Sequence, residues 1–191
     1  MSDENDVKPD QWVRISSEQM ADCKVFTVRR DLSRNRRNNE RHNFFCIEAV
    51  DWINIIPLTA DNEVVMIEQF RHGIGHTTLE IPGGMVDGGE SVARAAVREL
   101  REETGYTAES VIELGRTRPN PAIQNNWVYH FVARDVKFVS APVFDGTEHA
   151  VTKLVPLNAV PGLIDDGSIT HSLVVAGFAR YWIREKGISM A

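Results

Sequence analysis

GMVDGGESVARAAVRELREETGY, residues 84–106, passes from a glycine-rich turn into helical periodicity and out again at a second glycine. Ser91 to Thr104 is predicted to be one helix, ended by Gly105, because glycine is the residue that best tolerates the left-handed conformation just past a helix end. At about 100° per residue, Ala93, Ala96, Val97 and Leu100 form an apolar face, with Arg94, Arg98 and Arg101 nearly opposite. Glu99, Glu102 and Glu103 occupy a third arc bordering the apolar face. This arrangement is unfavourable in isolation. Glu99 and Glu103 are like charges at i, i+4, which costs roughly 0.2–0.5 kcal/mol in the open, and both lie towards the negative end of the helix dipole. A hard divalent cation such as Mg²⁺ or Mn²⁺ would relieve the repulsion, since both prefer carboxylate oxygens. A solvated face with Arg98 paired to Glu102 would do so as well, and helical geometry alone leaves both open.

Working outward, 191 residues suffice for a sizeable core, and 42% hydrophobic with 25% charged residues is an ordinary globular balance. The net charge of −6 disfavours a general nucleic-acid binder, which needs a basic surplus. An acidic protein acting on a phosphate substrate needs a local positive centre, and a bound cation can supply it. The polar opening MSDENDVKPDQ lacks the pattern of a secretory signal, and no apolar run reaches membrane-spanning length. Cys23 and Cys46 show no metal-ligand spacing. A cytoplasmic protein with free thiols and no membrane partner is expected.

After a polar tail, WVRISS, KVFTVRR and FFCIEAV predict three strands between Trp12 and Val50, with polar Asp31–His42 interrupting the last two. Residues 1–50 are therefore expected to form a tail and small antiparallel sheet, and residues 51–191 a second domain. Trp52–Thr59 and Val64–Phe70 predict a hairpin around the turn residues 60–63. Strands are expected at Ile112–Thr117, Trp127–Val132 and Val151–Leu157, and an amphipathic helix at Ser172–Glu185. The class is α/β or α+β, with two helices on a mixed sheet.

The spacing from Gly84 through Glu90 and Arg98-Glu99-Leu100-Arg101-Glu102-Glu103 to Gly105-Tyr106 fills every fixed position of Gx5Ex7REUxEExGU, U being apolar. The chain thus resembles the Nudix hydrolases. That resemblance implies an α/β/α sandwich with a mixed sheet and the hydrolysis of a nucleoside diphosphate linked to another moiety. It implies that Glu99, Glu102 and Glu103 bind metal, that Glu90 and Arg98 form the scaffold with Gly84 and Gly105, and that the Gly83 carbonyl is a further ligand. EQFRHGIGHTTLEIPGG (residues 68–84), Pro121, Glu148 and DGSITHS (residues 166–172) resemble the ADP-ribose pyrophosphatase and nucleoside diphosphate sugar hydrolase branch. In that branch the position of Glu148 supplies a late metal ligand or base, and Pro121 is a landmark near the substrate. The branch also implies a homodimer in which the strands before Val50 contribute to the partner's site. PGG stands where the branch often has PAG, and Pro121-Ala122 where it often has PG. An additional glutamate before Glu148 is replaced by the loop FDGT, where Asp145 is the available substitute, so the general base is not identified.

Arg71 is expected to contact the diphosphate or a nearby glutamate through its two-pronged guanidinium, the alternative being a surface arginine at a strand end. Glu80 is a supporting carboxylate behind the metal site or a partner for Arg71. Arg34, Arg36, Arg37 and Arg41 read as a solvated hairpin loop, with a terminal phosphate or a second subunit as alternatives. Phe44, Phe45 and Trp52 read as core strand residues, with stacking on a base as the alternative. His72, His76 and His171 lack zinc-ligand spacing, and no GxSxG nucleophile motif is present, which leaves water as the nucleophile. The runner-up reading is a hydrolase preferring another nucleotide sugar such as GDP-mannose, and a nucleotide-sugar-sensing module without turnover is the reading from outside the enzyme class.

Overall fold

The computed structural model describes residues 9–144 and 149–187. The chain divides into two compact units, residues 1–49 with Asn120–Asn125, and residues 50–119 with 126–191. The first contains an antiparallel meander of β1 (Trp12–Asp22), β2 (Phe26–Asn35) and β3 (Arg41–Ala49). Asn120–Asn125 joins it through backbone bonds from Ile47 N–H to the Ile123 carbonyl (2.7 Å) and from Asn125 N–H to the Ile47 carbonyl (3.3 Å).

The polar segment expected to begin at Asp31 does not break the sheet there. β2 continues to Asn35, and Asp31, Ser33 and Asn35 are buried on one face. Asp31 accepts hydrogen bonds from the Ser17 hydroxyl (2.6 Å) and Arg29 Nε (3.0 Å). Burial alone would raise its pKa, but these bonds win and hold it below the ordinary carboxylate value. Satisfied side chains thus let a polar sequence occupy a buried strand face. Phe44 and Phe45, expected in a core, are exposed at 41% and 56%. Trp12 instead meets Phe44 edge-on on that sheet, with ring centroids 5.0 Å apart.

The second unit runs β4 (Trp52–Pro57), β5 (Glu63–Arg71), β6 (His76–Glu80), β7 (Gly83–Met85), α1 (Val92–Thr104), β8 (Tyr106–Thr107), β9 (Ile112–Thr117), β10 (Val128–Ala133), β11 (Lys137–Phe138) and β12 (Ala150–Pro156). A 3₁₀ turn at Leu157–Ala159, α2 (Val160–Asp165) and α3 (Ser172–Lys186) complete it. One sheet has the order β7-β4-β10-β9, with β4 and β10 parallel, and a second has the order β12-β5-β6. β8 and β11 form a two-stranded ribbon.

The expected hairpin is therefore only a turn. Thr59 N–H bonds the Glu63 carbonyl at 2.9 Å and Asn62 takes a φ of 58°, but beyond the single bridge Leu58–Val64 the two strands enter different sheets. Ile53 to Ile56 and Val64 to Ile67 are apolar on both faces apart from Asn54, so each strand is covered on two sides. Ile53, Ile55, Val65 and Phe131 pack with Ala95, Ala96 and Leu100 of α1. Ile56, Met66 and Val132 pack with Val174, Phe178 and Tyr181 of α3. These two apolar layers make the α/β/α sandwich. Each fully buried side chain, such as Leu100 or Phe178, contributes about 1.5–3 kcal/mol.

A polar relay crosses the α3 layer. Asn54 donates through Nδ2 to the Leu173 carbonyl (3.1 Å), so its Oδ1 faces His130 Nδ1 at 2.6 Å and accepts that ring proton. His130 Nε2 then accepts from the Thr117 hydroxyl at 2.7 Å. Gly177 lies beside this relay, and a Cβ there would stand 3.3 Å from Ile81 Cδ1, a tight contact that the end of the isoleucine would have to yield to. Burial, with the charge of Arg180, lowers the His130 pKa to about 4 from 6.5. The unfolded chain thus binds a proton that the folded one refuses between those values, and stability falls as pH drops through that window. Urea unfolding at pH 7 and pH 5 should show wild type losing about 2 kcal/mol more than His130→Gln; equal losses would show that His130 is not held neutral.

Candidate functional site

The site is built where α1 crosses the β4–β7 pair. Ser91 caps the helix, its hydroxyl accepting from Arg94 N–H, and Gly105 closes it at φ 75° with its own N–H on the Arg101 carbonyl. Gly105 also receives the returning chain: its carbonyl accepts Val139 N–H at 2.8 Å, and a Cβ there would lie 1.8 Å from the Ser140 carbonyl oxygen. The buried line of α1 is Ala95, Ala96, Leu100, Glu103 and Thr104, rotated slightly from the expected Ala93–Ala96–Val97–Leu100 face. Glu103 is consequently inside, at 6% exposure, while the Glu99 side chain is 14% exposed and that of Glu102 is 47%.

Arg98 organises this arc. Its Nη1 donates to Glu99 (2.8 Å) and Glu102 (3.0 Å), its Nη2 to Glu90 (3.0 Å) and the Met85 carbonyl (2.9 Å), and its Nε to Glu90 at 3.3 Å. Burial opposes the charge of Arg98, but the bonds to Glu90, Glu99 and Glu102 outweigh it and raise its pKa. The same pairing with Arg98 lowers the pKa of Glu90. The i, i+4 pair of Arg98 with Glu102 thus exists, as one arm of a wider fork.

Two glycines fit the loop to the helix. A Cβ on Gly84 would lie 2.2 Å from Glu99 Oε1, so this glycine makes the space in which the Glu99 carboxylate sits. Gly83 pairs with Asn54 of β4, and a Cβ there would meet the Ile53 carbonyl oxygen at 2.5 Å. Its N–H donates to Glu103 Oε2 at 2.9 Å. Carboxylates of Glu99, Glu102 and Glu103, with the backbone at Gly83, fit a hard divalent cation in donor chemistry. Among the described residues, no three His, Cys, Asp or Glu side chains are gathered closely enough to hold a metal ion. Asp145 and Glu148 lie outside the described residues.

Arg71 and Glu80 form a second centre. Arg71 Nε and Nη2 each donate to one Glu80 oxygen at 2.8 Å, a two-pronged pair, and the Thr78 hydroxyl also bonds Glu80. His171 Nε2 stands 3.9 Å from Glu80. Burial would raise the Glu80 pKa, but the Arg71 and Thr78 bonds lower it. Burial lowers the pKa of His171. Arg71 thus meets a nearby glutamate and Glu80 is its partner, as one of the sequence readings had each. Thr78, His171 and the Met85 carbonyl were not singled out for these contacts, because their roles depend on strand register and on where α3 begins. Pro121 is exposed and lies in the first unit. There, too, Arg36 and Arg37 lie in the hairpin turn, with Arg37 bonded to Asp10 (2.9 Å), whereas Arg34 and Arg41, expected in the same loop, are paired strand residues of β2 and β3, Arg34 bonding Asn39 (2.7 Å).

The NUDIX domain family matches residues 50–177. An ADP-ribose pyrophosphatase of Bacillus subtilis is 32% identical over 84 residues, 44% of this chain and 45% of that protein, so the match spans under half of that relative's length. The ADP compounds hydrolase NudE of Escherichia coli is 28% identical over 179 residues, 91% of this chain and 94% of that protein. The crystal structure of an ADP compounds hydrolase superposes with a TM-score of 0.80 at 24% identity, covering 95% of this chain and all of that one, which shows a shared fold. Among the described residues no helix is long and apolar enough to cross a membrane. With the domain matching well over half of the chain, and Glu90, Glu99 and Glu102 of its motif meeting at Arg98, the protein belongs to the Nudix family.

Proposed function

We propose that this protein hydrolyses the diphosphate linkage of ADP-ribose or a related nucleoside diphosphate sugar, giving a nucleoside monophosphate and a sugar phosphate. The observation that carries this reading is the α1 carboxylate arc, oriented by Arg98 and seated against Gly83 and Gly84. The ADP-ribose and ADP-compound activities in the names of its relatives point to the same substrates.

Glu99, Glu102 and Glu103, the Gly83 carbonyl and Glu148 would hold Mg²⁺ or Mn²⁺. Such cations lower the pKa of a bound water and offset charge developing on the leaving phosphate. Arg98 holds Glu99 and Glu102 on the arc, and because no three acidic side chains are gathered closely enough among the described residues, the carboxylates would draw together as a cation binds. Gly83 N–H holds Glu103 beside the loop. Arg71 uses its Nε and Nη2 edge on Glu80, so its part in the proposal is to contact the diphosphate through its remaining guanidinium group. Glu102, Glu103 and Glu148 are the candidates for positioning the attacking water. A homodimer in a cytoplasmic setting, in which the strands before Val50 contribute to the partner's site and Pro121 is a substrate-binding residue, completes the proposal.

Glu103→Gln retains the shape of Glu103 but removes its charge, and should lower kcat at saturating Mg²⁺ by at least about a hundredfold, ~2.7 kcal/mol of barrier; near wild-type turnover would sink the assignment. Gly84→Ala should leave the unfolding midpoint almost unchanged, because only the end of Glu99 has to move, yet reduce kcat by about tenfold or more. A substrate panel with product identification, run in Mg²⁺, in Mn²⁺ and in EDTA, should yield AMP and ribose 5-phosphate from ADP-ribose only with metal. Faster turnover of GDP-mannose would reassign the substrate, and tight binding without turnover would favour a sensing module.

A further inference from the structure

The larger sheet, in the order β7-β4-β10-β9, ends on two unequal strands. β7 has three residues, and so short an edge offers little to pair with, whereas β9 has six. A strand of that length at a sheet edge turns a row of backbone donors and acceptors outward, where another extended chain can pair with it. Ile112, at the start of β9, is 43% exposed and adds apolar surface to that edge.

Two arginines of α3 occupy the edge. Arg184 Nη1 donates to the Glu113 carbonyl at 2.8 Å, Arg180 Nη2 to the Arg116 carbonyl at 2.7 Å, and Arg180 Nη1 to the Leu114 carbonyl at 3.4 Å. The pair of Arg134 with Glu185, at 2.5 Å, holds the last turn of the helix beside the end of β10. β9 is shaped to receive these donors. Gly115 pairs with His130 and Glu113 with Phe131, so Leu114 is the extra residue of a bulge, and the carbonyls of two successive residues both meet donors from α3. Gly115 takes a φ of 113°, and a Cβ there would lie 2.5 Å from Arg180 Nη1, so the guanidinium lies in space that a side chain would fill.

Stability alone does not ask for this arrangement. Water satisfies edge carbonyls without fixing any side chain, whereas each pinned arginine loses rotamer freedom. Arg180 Nε is buried with no bond of its own among the described residues, which is a further cost. Unlike water, an arginine is not displaced into solvent when another strand approaches, and its charge opposes the same charge on a second copy.

We propose that Arg180 and Arg184 close the β9 edge against pairing with β9 of a second copy of this chain. Such pairing would be two-fold, each strand antiparallel to its copy. It would bring both pairs of arginines together across the junction, so the carbonyl bonds and the like charges act in the same sense. The helix that covers one layer of the core thus also keeps the sheet from extending.

The full chain carrying Arg180→Ala with Arg184→Ala is the test, read by light scattering over about a hundredfold range of concentration and by amide hydrogen exchange. As concentration rises, the double variant should form a species of about twice the wild-type mass, in which the β9 amides exchange more slowly than in wild type. A folded double variant that keeps the wild-type mass throughout would overturn the closure. So would a larger species whose β9 amides exchange as in wild type, since its contact would lie elsewhere. Should the double variant unfold, Arg184→Ala opens the Glu113 carbonyl alone, at an exposed position of α3, and the same two measurements decide on the same outcomes.

Discussion

Arg98 resolves the main electrostatic problem of the chain. Three glutamates within five residues of one helix repel each other, and a fourth, Glu90, lies just before its first turn. One guanidinium with five donors in a rigid fork satisfies Glu90, Glu99, Glu102 and the Met85 carbonyl together. A lysine could offset the charge but could not hold this geometry, because its ammonium is a point charge on a flexible stem. The fork also ties the glycine loop to the helix, so that the loop, the scaffold glutamate and two of the three carboxylates of the arc become one rigid object.

That object depends on the sandwich beneath it. β4 presents Ile53 and Ile55 to α1 and Ile56 to α3, so the strand carrying the pairing partners of Gly83 and Gly84 is clamped from both sides. The amphipathic pattern of α1 has a local exception in Glu103, which sits on the buried line and is held by Gly83 N–H. A carboxylate is tolerated inside because a backbone donor is aimed at it. The Arg71–Glu80 pair follows the same rule, with Thr78 supplying a further donor.

Local signals made much of this legible. Gly105 marks the end of α1 because capping chemistry is contained in a few adjacent residues, while Ser91, expected as the first helical residue, is its N-cap. The closing helix was visible through the spacing of Val174, Phe178 and Tyr181. Partners chosen at long range were not: Trp52–Pro57 and Glu63–Arg71 carry a turn between them, and nothing in those residues says that β10 and β12 will take the pairing. Asp31 was misread as a strand break because its acceptors are satisfied from Ser17 on another strand and Arg29. In the site, the glutamate arc was legible from helical geometry and its meaning from the motif frame. Whether Glu80 meets Arg71 depends on register.

Gly105 stands at the meeting of two chain segments. It ends the helix, and it also accepts the backbone of Val139 in the space that any Cβ would take from Ser140. Its contacts are to its own helix and to a distant piece of the chain. A survey that replaced each motif residue in turn and scored only turnover would rank this glycine beside the glutamates. Its failure would arise from misassembly, so abundance of folded protein, measured alongside activity, is what separates the motif's architecture from its chemistry.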